Sequence, residues 1–127
     1  MFSETQTAGG YGLALSDQQQ LFVVGGDYEQ RPASYPNIAT FSDNRWKEVN
    51  AGQHGLRSAM SCQQNVCIAT GKTSSDISHN SGKSWQVLPN PHGKKDDKGF
   101  YTIASNRMMF LAAGSEGKVS VYSFRKK

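Results

Sequence analysis

Apolar residues along this chain come in short runs separated by polar turns. Leu13-Ala14-Leu15, Leu21-Phe22-Val23-Val24, Val66-Cys67-Ile68-Ala69 and Met109-Phe110-Leu111-Ala112-Ala113 are each followed within two residues by Gly or Ser. No stretch sustains the apolar spacing of an amphipathic helix, whereas short apolar runs bounded by turn formers read as strands. Residues 21–24 and 110–113 are continuously apolar rather than alternating, which predicts strands covered on both faces.

The runs recur with a period. Gly10-Tyr11-Gly12-Leu13-Ala14-Leu15 leads to Leu21-Phe22-Val23-Val24-Gly25, and Gly55-Leu56-Arg57-Ser58-Ala59-Met60 leads to Val66-Cys67-Ile68-Ala69-Thr70-Gly71. The third copy is Gly99-Phe100-Tyr101-Thr102-Ile103-Ala104 leading to Met109-Phe110-Leu111-Ala112-Ala113-Gly114. In each, one Gly opens a strand and a second strand closes on Gly 15, 16 and 15 residues later; the opening glycines stand 45 and 44 residues apart. That length suits a four-stranded antiparallel unit, the size of one β-propeller blade. The expected fold is therefore all-β, a partial β-propeller of about three four-stranded antiparallel blades over residues 10–50, 55–90 and 99–124, in one unit spanning 1–127. The third blade offers only three strands, the last over residues 119–124. Small residues in the inner strands would let them approach a crowded axis.

The second copy continues into Ser78-His79-Asn80-Ser81-Gly82-Lys83-Ser84-Trp85. This resembles the Asp-box of BNR-repeat propellers, Ser/Thr-x-Asp-x-Gly-x-x-Trp, with Asn80 where Asp is usual. As a hairpin device the pattern has a physical reading: the Asn80 carbonyl oxygen accepts turn N–H groups, Gly82 takes a positive φ, and Trp85 folds under the turn. Ser78, Asn80, Gly82 and Trp85 are thus read as fold determinants on the ring's periphery, not as catalytic groups. The first copy carries a shorter remnant, Ser42-Asp43-Asn44-Arg45-Trp46, and the third only the turn Gly114-Ser115-Glu116-Gly117-Lys118.

With Phe22-Val23-Val24-Gly25-Gly26-Asp27-Tyr28, Ile38-Ala39-Thr40-Phe41-Ser42-Asp43 and Ser75-Asp76-Ile77-Ser78, these segments make the chain resemble photosystem II stability and assembly factor-like bacterial proteins. Members of that group are often labelled oxidoreductases or glycosyl hydrolases. The resemblance covers most of the chain and implies the C-terminal blades of a longer Asp-box propeller. It does not imply a photosynthetic role, because no matched residue is one that carries it.

Composition narrows the field. The formal charge of +4 is modest, and much of it lies in Lys94, Lys95, Lys98 and the terminal Arg125, Lys126 and Lys127. Asp96 and Asp97 follow Lys94 and Lys95, so that stretch is self-neutralising, and no basic face interleaved with aromatics points to nucleic acid. No apolar run approaches the length of a membrane span. The first six residues lack the basic and apolar regions of a signal peptide, leaving a cytoplasmic protein or a truncated form of a periplasmic or extracellular one.

No catalytic, cofactor or metal constellation stands out. A sialidase needs an arginine triad, a Tyr nucleophile with a Glu partner and an Asp acid/base, and other glycosidases need paired carboxylates; Arg31, Arg45, Arg57, Arg107 and Arg125 are scattered without that context. His54, His79 and His92 share no metal-ligand spacing. Asp27, Tyr28, Glu29 and Arg31 form a candidate mouth loop, although a solvated loop tip is the plainer reading. If Gln64-Asn65 is a two-residue turn, Cys62 faces Cys67 as a non-hydrogen-bonded pair, which permits a cross-strand disulfide. The expectation is a non-catalytic scaffold or binding module for a protein or glycan ligand, with a glycoside hydrolase or sialidase-like fragment as the alternative. Three blades leave two apolar faces uncovered, so a homo-oligomer, a dimer completing a ring, or other blades of a longer chain should cover them.

Overall fold

The computed structural model describes residues 8–27, 37–49, 57–71, 75–88, 100–114 and 117–123, with backbone only at 8, 9 and 27. Among them there is no α-helix; eleven strands form three antiparallel sheets. Sheet one runs β1 (Ala8–Leu15), β2 (Leu21–Asp27), β3 (Ile38–Ser42) and β4 (Arg45–Val49), neighbours in sequence lying side by side. Sheet two repeats that order with β5 (Ala59–Gln63), β6 (Val66–Thr70), β7 (Ser75–Ser78) and the two-residue β8 (Gln86–Val87). Sheet three has only β9 (Thr102–Ser105), β10 (Met109–Ala113) and β11 (Val119–Ser123).

Turn chemistry explains the hairpins. At the β1–β2 corner the Ser16 hydroxyl accepts the N–H groups of Gln18 and Gln20, while Gln19 takes a φ of 63°. Between β9 and β10 the Asn106 carbonyl oxygen accepts from the N–H groups of Met108 and Met109, the self-capping that makes Asn a turn residue. The Asp43-Asn44 turn has φ of 55° and 63° at its two central residues, the type I′ geometry that matches strand twist, and it pairs Ser42 with Arg45. The remnant motif is therefore an ordinary two-residue hairpin. Asn and Asp tolerate the left-handed region, so no Gly is needed.

Two seams join the sheets. In the first, Phe22, Val24 and Ile38 of sheet one pack with Met60, Cys67 and Ala69 of sheet two in one buried cluster, with Ala14, Val49, Cys62 and Trp85 against it. A Cβ on Gly12 would stand 2.9 Å from the Ser58 carbonyl oxygen, so the absence of a side chain is what lets β1 approach the start of β5 so closely. The second seam, between sheets two and three, is more polar. The Ser61 and Ser105 hydroxyls lie 2.7 Å apart, Ser58 Oγ donates to the Tyr101 carbonyl, and the Phe100 N–H donates to Thr70 Oγ1. In both seams the first strands, β1 with β5 and β5 with β9, are neighbours.

A buried ion pair ties the first seam. Arg57 donates its backbone N–H to the Gly25 carbonyl in β2, while its Nε and Nη2 donate to one Asp76 carboxylate oxygen in β7 at 3.0 and 2.7 Å. Both side chains are fully buried. Desolvating two charges is costly, so the pair adds little net stability, but removing one partner strands the other charge.

The continuous apolar runs behave differently from each other. In β2, Phe22, Val23 and Val24 are all buried, as expected of a strand covered on both sides. In β10, Phe110 and Ala112 are buried but Leu111 is 47% exposed, because among the described residues sheet three has a neighbouring sheet on one face only. Sheet one also begins two residues earlier than the glycine pattern suggests, since Ala8 pairs with Asp27 and Gly10 lies within the strand at a register shift.

Asp76→Ala should lower unfolding free energy by about 3–5 kcal/mol in denaturant titration, and adding Arg57→Met should recover much of the loss. On sheet three, burial pushes the Tyr122 phenol above its ordinary value of 10.0, against a smaller lowering by its hydrogen bond with Ser120. Because the folded chain favours the neutral phenol, this contribution to stability is complete below pH 10 and is lost as pH rises through the raised folded value. Ultraviolet difference titration should show one tyrosine ionising late, and only while the fold persists.

Candidate functional site

The turn over residues 78–85 is built by its own side chains. Ser78 Oγ donates to Asn80 Oδ1 at 2.8 Å and accepts the Gly82 N–H at 2.9 Å; Asn80 Oδ1 also accepts the Ser84 N–H at 2.9 Å. Asn80 Nδ2 donates to Ser84 Oγ, whereas a carboxylate at this position would have to accept from that hydroxyl. Trp85 Nε1 donates to the Gly82 carbonyl at 3.0 Å, and its ring lies against the first seam.

This turn is not a free tip. Ser81 is buried, takes a φ of 60°, donates its N–H to the Asn65 carbonyl in the β5–β6 turn and its hydroxyl to Asp17 in the β1–β2 turn. Gly82, at φ 90°, lies directly against the Phe22 ring of sheet one, so that a Cβ there would overlap Phe22 Cζ. The turn of sheet two is thus clamped onto sheet one. The physical reason is that its hydroxyls and amides saturate one another, leaving a surface small enough to seat an aromatic ring.

Beside the clamp lies a groove of about 270 Å³ whose floor includes Phe22 and Val49 and whose rim includes Gln18, Gln20, Lys47 and Lys83. Lys47 is 3.4 Å from Asp43, and Gln20 Nε2 donates to Thr40 Oγ1 and the Phe41 carbonyl. The groove offers hydrogen-bond donors over an apolar floor. It brings together no nucleophile with an adjacent base and no carboxylate pair of the kind glycoside hydrolysis uses.

Cys62 and Cys67 form a disulfide with a Cα–Cα distance of 4.1 Å. They are directly opposed on β5 and β6, Gln63 pairs with Val66, and Gln64 opens the turn at φ 57°. The bridge staples one hairpin and links no two sheets. Of the candidate mouth loop, Tyr28, Glu29 and Arg31 lie outside the described residues, and Asp27 is described only as the last residue of β2. His79 is an exposed residue of the 78–85 turn; His54 and His92 are outside the described residues. Among the described residues no three His, Cys, Asp or Glu side chains group as metal ligands, and no helix is long and apolar enough to cross a membrane.

Sequence reasoning passed over Arg57 as one of several scattered arginines. A signal was present: Arg57 occupies the third position of its repeat, where the other copies have Gly12 and Tyr101, and a charge in an otherwise apolar strand entry implies a buried partner. Asp76 carries no such signal, because its place on the seam depends on β7 register.

No protein-family profile and no curated protein matches this sequence. Among solved structures the chain is similar to the computationally designed Ika4 protein, at 11% identity and a TM-score of 0.46 over 98% of this chain and 96% of that one, a likeness too distant to carry an argument.

Gly82→Ala should destabilise the protein by about 1–3 kcal/mol, since it combines a left-handed backbone with overlap on Phe22; thermal melts beside a Lys83→Ala control will show it. Replacing both cysteines by Ala should cost about 2 kcal/mol, and reductant should cost the natural protein as much while leaving the double variant unchanged.

Proposed function

We propose that this chain is a three-blade segment of an Asp-box β-propeller and serves as a non-catalytic scaffold or binding module, in the manner of the assembly factor-like proteins its sequence resembles. The observation that carries this reading is the repeated seam: sheets with the same strand order follow one another, each meeting the next through its first strand. In a propeller those strands line the axis, which accounts for Gly12 at the β1–β5 approach and for paired serines between β5 and β9. The turn over residues 78–85 is then an Asp-box in which Asn80 replaces the acid.

A binding role is favoured over hydrolysis by how three of the described carboxylates are used. Asp76 is buried against Arg57, Asp17 accepts from Ser81, and Asp43 sits beside Lys47. The Cys62–Cys67 bridge favours an oxidising compartment, periplasmic or extracellular. The ligand fitting such a scaffold is a protein or glycan surface.

Two measurements test the reading. In an experimental structure, the operation carrying sheet one onto sheet two and that carrying sheet two onto sheet three should share one rotation axis; unrelated axes would remove the propeller. The purified protein should turn over no fluorogenic glycoside or sialoside. Turnover that co-purifies with it and disappears on replacing a single carboxylate, such as Asp17→Asn, would establish the enzyme instead.

A further inference from the structure

Each sheet has a leading face, turned toward the next sheet in chain order, and a trailing face. The leading face of sheet one, with Phe22, Val24 and Ile38, is covered by the trailing face of sheet two, with Met60, Cys67 and Ala69. The leading face of sheet two, with Ser61, meets the trailing face of sheet three, where Ser105 pairs with the buried Phe110. The chain therefore builds the same kind of seam twice.

At each end of the chain a sheet face keeps exposed apolar side chains, while Val23 and Ala39 on that of sheet one are buried. On the leading face of sheet three, Val121, Leu111 and Ala104 form one cross-strand row, with Val119 and Ala113 in the next. Leu111, Val119 and Val121 are about half exposed or more, and no charged side chain projects from this face among the described residues. On the trailing face of sheet one, Leu15 pairs with Leu21 and Phe41 with Trp46, in edge-to-face contact at 5.2 Å. Leu13, in the adjoining row with the buried Val23 and Ala39 and the exposed Glu48, is 74% exposed.

Resting on the propeller reading, we infer that the leading face of sheet three packs on the trailing face of sheet one of a second copy of this chain. The occupant is a second copy because each end face is the counterpart of one the molecule carries at its other end, so the contact continues an interface already present inside the chain. Two copies about a two-fold axis make two identical seams and leave neither face open, whereas a head-to-tail contact that did not close would propagate. Apolar rows of this extent, which on sheet one run beside the exposed Glu48, are what such a seam buries.

Sedimentation equilibrium at micromolar concentration should show a species of twice the chain mass. Leu13→Asp and Val121→Lys, each at an exposed position, should each weaken association by about 30-fold or more while leaving circular dichroism unchanged. Mixing the two variants should restore a dimer, since one of its seams is then natural and the other sets Asp against Lys. Should either variant fail to fold, Leu15→Asp and Leu111→Lys on the same faces replace them. A folded monomer, an open polymer, or dissociation by the sheet-one variant alone overturns the inference. A folded monomer whose sheets still share one axis would leave the propeller reading standing.

Discussion

The joint between the first two sheets depends on the buried pairing of Arg57 with Asp76. Arg57 reaches both ways, its backbone N–H to the Gly25 carbonyl in β2 and its guanidinium to β7, so one residue fixes how the entry to sheet two sits against β2 of sheet one. An apolar pair could fill the same space. It would not enforce the register, because only one β7 alignment brings a carboxylate to the guanidinium, and any other leaves a charge buried alone. The second seam uses lighter means, with Phe100 N–H on Thr70 Oγ1 and serine on serine.

That asymmetry bears on what the molecule can do. The first seam combines an apolar cluster with a buried ion pair; the second joins hydroxyl contacts to the buried Ile68, Phe110 and Ala112, and the sheet beyond it has one strand fewer. Functional diversity in repeat architectures usually resides in loops and end units rather than in shared seams. Here the groove beside the 78–85 turn and the two open faces are the surfaces available for binding, and each is framed by residues whose other side is held in a seam.

Much of the fold was legible from residue order. The glycine-bounded apolar runs located β1, β2, β5, β6, β9 and β10, and the spacing of Cys62 and Cys67 anticipated their cross-strand pairing, because both signals are local. The turn type of the Asp43-Asn44 hairpin was not legible, since it depends on two φ angles that Asp and Asn can adopt without announcing it. The candidate site was far less legible. The inward docking of Ser81 and Gly82, the Arg57–Asp76 pair and the open side of Leu111 all arise from which sheets become neighbours, and strand-level pattern carries no information about that.

The clamp of Gly82 onto Phe22 has a consequence for the order of events on the ribosome. The turn that finishes sheet two seats on a ring and an Asp17 carboxylate that both belong to sheet one, which emerges first. The earlier sheet thus serves as a template for the later one, and synthesis from the N-terminus supplies the template before it is needed. A circularly permuted chain that began with residue 57 would reverse that sequence, holding an unfinished turn until its seat was made.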